Sequence, residues 1–394
     1  MIANEEPDID LTPHVSTDAG NFFQSDRDIA KQEARDLKKS IHANSGLPIS
    51  IPSKVLDLQF AGTGSDADLS ANKLYAYVAE SGHVARKYNL MTGKWSKAFK
   101  GHTGPVTTVA IALNAAGQEE VVVTGSWDKG IRKWNALTGE CLLKMTAHTD
   151  FVKKVVIHKN LLFSASVDTT IRIWDLQTGR LIRTLKEHTR GVEDILLFED
   201  GKRLASASSD GSIKIWDVQS GQVLVTLTGH LTSVYRLGMN EEGDQLWSAS
   251  ADKTLKRWDL NTGLEDTSLE HPDFVKAVAV SDRYVFTGCR DEIVRVWDAA
   301  TDQVVRTMDA HSDEVSAVAL RGSVLWSGSI DATIRRWDVS DLIGGTADLS
   351  LFDGTMQIDE VPGPGEGSDS TVPASGGDSG LTAEEEAELA ELMD

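Results

Sequence analysis

The sequence predicts an all-β fold of seven four-stranded blades closed into a propeller, with one helix before it and an acidic tail after it. Three observations predict this. Trp stands at 134, 174, 216, 258, 297 and 337, giving gaps of 40, 42, 42, 39 and 40 residues, and Asp follows every one except Trp134. Six residues ahead of each Trp stands an Asp (Asp128, Asp168, Asp210, Asp252, Asp291, Asp331), and ten ahead a hydroxyl (Thr124, Ser164, Ser206, Ser248, Thr287, Ser327). One His lies further upstream in each unit: His102, His148, His188, His230, His271 and His311. A period near 40 with four residue types at near-fixed offsets is the mark of a stacked supersecondary unit.

Each unit has the same grammar. An apolar run such as Val234 to Leu237 forms strand a, and Gln245 to Ser250 forms strand b. A turn such as Asp210-Gly211 is a strong hairpin signal. Strand c alternates, with Ile213 and Ile215 against Lys214 and Trp216, and a Thr-Gly or Ser-Gly pair leads into strand d. With this His…Trp-Asp pattern, the chain from about Val55 to at least Asp338 resembles the WD-repeat family. The resemblance implies one polar network per blade: the turn Asp binds the His, the His reaches the strand-b hydroxyl, and the hydroxyl reaches the Trp indole. Such groups are costly to bury unpaired and are satisfied when chained. The six His are therefore expected to be structural. An Asp, a His and a Ser that recur in every unit do not read as a hydrolase triad, which occurs once.

In chain order, residues 1–24 are polar, lack periodicity and read as disordered. A helix is expected within 25–45: Asp26 and Asp28 lead, Lys38 and Lys39 follow, which suits the helix dipole, and Ile29, Ala30, Ala34, Leu37 and Ile41 share one face. That face implies either docking on the propeller rim or a partner-binding helix. The propeller is expected over 46–352. Blade 1 is degenerate, with Tyr88 and Asn89 for Trp-Asp, Val78 for the hydroxyl and Gly82 for the turn Asp. The spacing from Tyr88 to Trp134 is lengthened by a loop at Asn114 to Glu119. Two segments compete as the outer strand of blade 7: Pro48 to Ser53, the family habit, and Ala347 to Phe352, which alternates. Residues 353–380 read as a flexible linker. The last stretch, 381–394, has a capping-box pattern at Thr382 and Glu385 and an apolar edge at Leu389, Leu392 and Met393. It reads either as an acidic helix that folds on a partner or as a solubilising tail.

The net charge is −21, of which −14 falls after Val339 and −3 before Val55, leaving −4 for the propeller. The acidity belongs to the tail, which argues against nucleic-acid binding. Cys141 and Cys289 have no metal-ligand spacing and make no disulfide framework. The acidic N-terminus is unlike a secretory signal, and no run of eighteen apolar residues occurs. The expectation is an intracellular protein, cytoplasmic or nuclear, without a membrane span or a cofactor, its propeller monomeric within a complex.

The resemblance implies that partners bind the face carrying the b–c turns and the loops entering strand a. There, Trp127, Phe151, Phe274 and Ile330 are apolar at loop positions, and Lys154, Arg236 and Arg290 add cations. The residue before the strand-c Trp is basic at Lys133, Arg257 and Arg336, as is Lys87 before Tyr88. Their heads are expected to reach solvent. The function expected is a non-catalytic scaffold that binds a protein or peptide on the loop face, with the acidic tail as a second docking motif. Two alternatives are a substrate receptor of a ubiquitin ligase and an assembly chaperone for a basic ribosomal or histone protein. Against the first, no Arg follows the Trp-Asp pairs two places on, where Leu137, Gln177, Gln219, Asn261, Ala300 and Ser340 stand. Against the second, the propeller is near neutral.

Overall fold

The computed structural model describes residues 26–60, 74–113, 119–339 and 342. The segments 1–25 and 343–394 lie outside the described residues, and with them the expected disordered arm, linker, acidic helix and Ala347 to Phe352 strand. The rest forms seven four-stranded antiparallel sheets. Blade 1 spans 55–100, blade 2 106–145, blade 3 152–185, blade 4 192–228, blade 5 234–270 and blade 6 275–308. Blade 7 takes three strands from 315–338 and its fourth from Ile49–Ser50, which pairs with Ile334 and Thr333. The N-terminal segment thus supplies the outer strand, and the first and last blades meet through it. The four strands of each blade are called a to d from the channel outward.

Burial explains why the strands form. Strand b, sandwiched between neighbouring blades, is buried over nearly its whole length, as in Arg203–Ser208. The cores lie between blades. Phe163, Ile171, Ile173 and Leu185 of blade 3 meet Val192, Ile195, Leu204 and Trp216 of blade 4, and comparable clusters fill the other seams. The residue after each turn Asp adopts a left-handed conformation (Lys129, Thr169, Gly211, Lys253, Glu292, Ala332), so the b–c turn is built from one geometry whether or not glycine is present.

A second regularity escapes the sequence pattern. In all seven blades strand a is irregular at its second residue, between Val55 and Asp57, Val106 and Thr108, Val152 and Lys154, and so on to Val315 and Ala317. Bulges of this kind re-aim side chains. Here they lie at the top of each innermost strand, next to the channel mouth.

Helix α1 spans Asp26–Ile41. It rests on the rim of blades 6 and 7, but not through its apolar face. Arg35 reaches Asp313 at 2.7 Å and Glu292 at 3.5 Å, and Lys38 reaches Glu292 at 2.6 Å and Asp309 at 2.5 Å. Leu37 is 62% exposed and Ile41 47%. Three rim carboxylates select the basic side of the helix, so Ala34, Leu37 and Ile41 face outward, against the rim-docking reading of the stripe.

The basic residues of strand c also differ from expectation. Lys133 Nζ donates to the carbonyl of Leu176 (3.0 Å) and Arg257 Nη1 to that of Ala299 (2.6 Å), each in the next blade. These heads join blades rather than reaching solvent.

Candidate functional site

The polar networks form as the repeat implies in blades 2, 3, 4, 5 and 7. In blade 4, His188 Nδ1 lies 2.8 Å from Asp210 Oδ2, its Nε2 lies 2.8 Å from Ser206 Oγ, and the Trp216 indole donates to that hydroxyl at 2.8 Å. Asp210 also accepts from the amides of Thr189 and Ser212. The sets His102–Asp128–Thr124–Trp134, His148–Asp168–Ser164–Trp174, His230–Asp252–Ser248–Trp258 and His311–Asp331–Ser327–Trp337 repeat this within 2.6–3.0 Å. Burial alone would raise the Asp128 carboxyl, but the hydrogen bond and charge of His102 outweigh it and hold the group down at about 2. The turn Asp residues of blades 3, 4, 5 and 7 are lowered by the same balance. The hydroxyls are fully buried, accept from an indole and face an imidazole, so they are closed to a substrate.

Blade 6 departs from the expected network. His271 keeps its bond to Thr287 (3.0 Å), and Trp297 bonds the same hydroxyl (3.3 Å). Its Nδ1, however, faces the carbonyl of Leu269 at 3.1 Å, because Asp291 is engaged by Arg295. Blade 1 builds a substitute. Glu80, fully buried, accepts from Ser53 (2.9 Å), Tyr88 (3.2 Å) and Arg86.

The loop-face residues sort into two layers. At the mouth, Trp127 stacks on Phe151 across blades 2 and 3, with ring centres 5.2 Å apart, and Trp127 is only 6% exposed. Across the ring, Arg290 lies 5.2 Å over Phe274, and Lys276 lies 3.9 Å over Tyr235. Lys153 pairs with Glu193 at 3.0 Å, and Ile330 is half-buried with its amide on the Glu314 carbonyl. Lys154 and Arg236 lie deeper. Lys154 binds Asp57 at 3.2 Å, and Arg236 approaches Asp194 at 3.9 Å. The seven expected residues therefore form no single patch: two are aromatic partners of each other, two are channel cations held by acids, and three lie apart on blades 6 and 7.

The channel acids were missed by the sequence reading. Asp57 and Asp194 occupy the third position of strand a, where blades 6 and 7 have Ala277 and Ala317, and that contrast was the available signal. With Lys154 and Arg236 they line a cavity of about 320 Å³, whose far end is apolar at Leu196, Val278 and Leu320. Burial pushes the carboxyl of Asp194 up despite its cations. At Asp57 burial acts the same way, but Lys154 and Arg236 outweigh it and hold the group low. Also missed was Leu231, 87% exposed on the loop entering blade 5. The other five blades that carry the His have Thr103, Thr149, Thr189, Pro272 and Ser312 at that place after it.

Among the described residues no group of three or more His, Cys, Asp or Glu is placed to hold a metal ion, and no helix is long and apolar enough to cross a membrane. The family pattern "WD domain, G-beta repeat" matches residues 93–135, 139–175, 179–217, 221–259, 265–298 and 302–338. An uncharacterized WD repeat-containing protein of Schizosaccharomyces pombe is 34% identical over 387 residues, covering 94% of this chain and 97% of its own. Two further likenesses are short. The zinc finger CCCH domain-containing protein 62 of Arabidopsis thaliana is 30% identical over 74 residues, covering 17% of this chain and 18% of its own length. The protein groucho of Drosophila melanogaster is 29% identical over 79 residues, covering 20% and 11%.

Proposed function

Because the chain belongs to the WD-repeat family, whose propellers are in general protein-interaction scaffolds and usually non-catalytic, we propose that it is a non-catalytic scaffold whose partner seats on the loop face around the channel mouth. One observation carries this reading. Residues that break the repeat without building the polar networks recur on the loop side of several blades: the Trp127–Phe151 pair of blades 2 and 3, the Tyr235–Lys276 and Phe274–Arg290 pairs of blades 5 and 6, and the projecting Leu231 of blade 5. Aromatic residues and Arg are the usual anchors of interfaces, and Leu231, unlike the buried Trp127 and Phe274, is a bulky apolar side chain left uncovered on a loop. Trp127 supports the mouth from beneath, while Leu231 and Arg290 meet the partner. The acid-only stretch after Val339 serves as a second, tethered contact.

The test is an affinity purification read by mass spectrometry, comparing the full chain with the Leu231→Asp, Arg290→Glu double variant. Neither side chain takes part in a polar network, Leu231 giving only its main-chain amide to Asp252, so the melting temperature is expected to hold while the principal partner is lost. A partner set that survives both changes rejects the loop face.

A further inference from the structure

The seam between blades 7 and 1 combines a missing cross-blade tie with a shortened outer strand. At four of the other seams a basic side chain of one blade, from strand c or strand d, crosses to a main-chain carbonyl in the lower turn of the next. Lys133 reaches Leu176, Arg183 reaches Gln219 (2.8 Å), Arg257 reaches Ala299 and Arg306 reaches Leu342 (2.7 Å). At the last seam Arg336, which precedes its strand-c Trp as Lys133 and Arg257 do, makes no such crossing among the described residues. Its guanidinium lies 6.0 Å over the ring of Trp326 on its own blade. The outer strand is also short there. Ile49–Ser50 is two residues long, where the other six outer strands run five to seven.

The result is a groove of about 890 Å³ between the outer strand of blade 7 and the lower turn of blade 1, walled by Leu47, Pro48, Met91, Trp326 and Arg336. Leu47 is 68% exposed beside it. Trp326 is 0% exposed, and its indole Nε1 has no hydrogen-bond partner among the described residues. An apolar trough with one cation and one unpartnered donor suits an extended segment that brings leucine-type side chains, a carboxylate and a free main-chain carbonyl.

We propose that this groove is occupied by the chain's own residues 347–352, Ala-Asp-Leu-Ser-Leu-Phe. The place where the described chain ends argues for it. The carbonyl of Leu342 is held by Arg306, and its side chain is buried with Trp337 on the blade 6 side of blade 7. The groove is on the opposite side of the same sheet. Five residues span about 17 Å when extended, against about 10 Å for the spacing of packed sheets, so Ala347 reaches the groove around the short outer strand. Composition agrees. From Asp341 onward there are 14 acids and no bases, and Asp348 and Asp353 bracket the apolar run Leu349, Leu351 and Phe352. A flanking carboxylate meets Arg336, the apolar side chains meet Leu47 and Met91, and a main-chain carbonyl accepts from Trp326. The N-terminal strand closes the ring, and the C-terminal segment seals the seam that this closure leaves open.

Hydrogen exchange on the full chain tests this, comparing it with Leu349→Asp, Phe352→Asp and with a control altered further on, Leu389→Asp, Leu392→Asp. The first pair is expected to speed exchange at the amides of Ile49, Ser50 and Arg336 at least tenfold, and the control to leave them unchanged. Unchanged exchange in the first pair, or equal acceleration in both, overturns the proposal. A chain carrying Leu47→Cys, Leu351→Cys and Cys141→Ser gives an independent reading. Rapid intrachain disulfide formation at micromolar protein supports the proposal. A disulfide that forms only between chains, or no faster than with Leu381→Cys in place of Leu351→Cys, rejects it in favour of a second copy or the terminal segment.

Discussion

Arg295 takes the carboxylate that the repeat assigns to His271. Its Nη2 lies 2.5 Å from Asp291 Oδ2, and the imidazole Nδ1 turns to the Leu269 carbonyl at 3.1 Å instead. The His keeps its place and its bond to Thr287 but loses the anion that holds each other network His. Burial then dominates, and the imidazole is pushed down to about 4, with the Leu269 bond only partly offsetting it.

A pH dependence follows from this ring, and the buried His311, also lowered, adds to it in the same direction. For His271 the ordinary value is 6.5 and the folded value about 4, so between those limits the unfolded chain binds a proton that the folded chain does not. Stability is complete above pH 6.5 and falls as pH drops toward 4, by about 3 kcal/mol at full extent. Urea midpoints measured at pH 7 and pH 4.5 should show this loss. Arg295→Ser, which frees Asp291 to face His271, should shrink it. An equal loss in both proteins would mean that His271 is not the group responsible.

The hub hydroxyl of each network holds two partners at once. Ser206→Ala removes the acceptor of the Trp216 indole and the donor to His188 Nε2, both buried. The expected cost is about 2–4 kcal/mol, since each buried group left unpaired costs about 1–3 kcal/mol. Ser220→Ala, in an exposed turn, should stay within about 0.5 kcal/mol. Urea unfolding of the two proteins distinguishes them, and a Ser206→Ala cost equal to the control would show that water replaces the hydroxyl.

The seven blades were legible because Trp, Asp, His and a hydroxyl keep their offsets through six units. The bulge in every strand a was not, because no residue type marks it: Leu56, Thr107, Lys153, Glu193, Tyr235, Lys276 and Ser316 occupy the position. Glu80 went unread for a related reason. It stands where the repeat has a small residue such as Ser208, so blade 1 reads as a network lost when it is a network replaced. The apolar stripe of α1 left rim docking and partner binding open for another reason. A sequence shows that Leu37 and Ile41 share a face, but the rim carboxylates that attract Arg35 lie more than 250 residues away in the chain. Of the candidate site, the aromatic loop positions could be read from the sequence, and the acids that neutralise Lys154 and Arg236 could not.

Glu80 is therefore the blade 1 residue with the most to lose. Burial raises its carboxyl despite the bonds from Arg86, Ser53 and Tyr88. Glu80→Ala strands Arg86 and the Tyr88 hydroxyl and should cost about 3–5 kcal/mol. Tyr88→Phe removes one partner of a carboxylate that keeps two others, and about 1 kcal/mol is expected. If thermal unfolding gave the two variants equal losses, Glu80 would not be the hub of blade 1.

In the channel, Lys154 faces Asp57 at 3.2 Å while Thr108 and the amide of Val109 also bind that carboxylate. Lys154→Met leaves a buried anion with only the more distant Arg236 and should cost about 3–5 kcal/mol. Asp57→Asn in the same chain removes the uncompensated charge, so the double variant should recover about 1–3 kcal/mol relative to the sum of the single changes. A double-mutant cycle in urea measures the coupling, and additivity would show that the two residues do not interact.

Helix α1 offers the sharpest contrast between pattern and contact. Leu37 and Ile41 read as a docking stripe, and burial of such side chains contributes about 1.5–3 kcal/mol each. Both are exposed, so Leu37→Glu is expected to change stability by less than about 0.5 kcal/mol. The helix is held by Arg35 and Lys38, which are partly exposed, and pairs of this kind contribute about 0–1 kcal/mol each. Arg35→Glu with Lys38→Glu should therefore release the helix, seen as faster amide exchange over 32–41, while the propeller melts within a few degrees of the parent. High salt should weaken the attachment in the parent in the same direction, because screening acts on partly exposed charges. A large stability loss from Leu37→Glu together with little effect of the charge reversal would mean that the apolar face, and not the basic one, holds α1 to the rim.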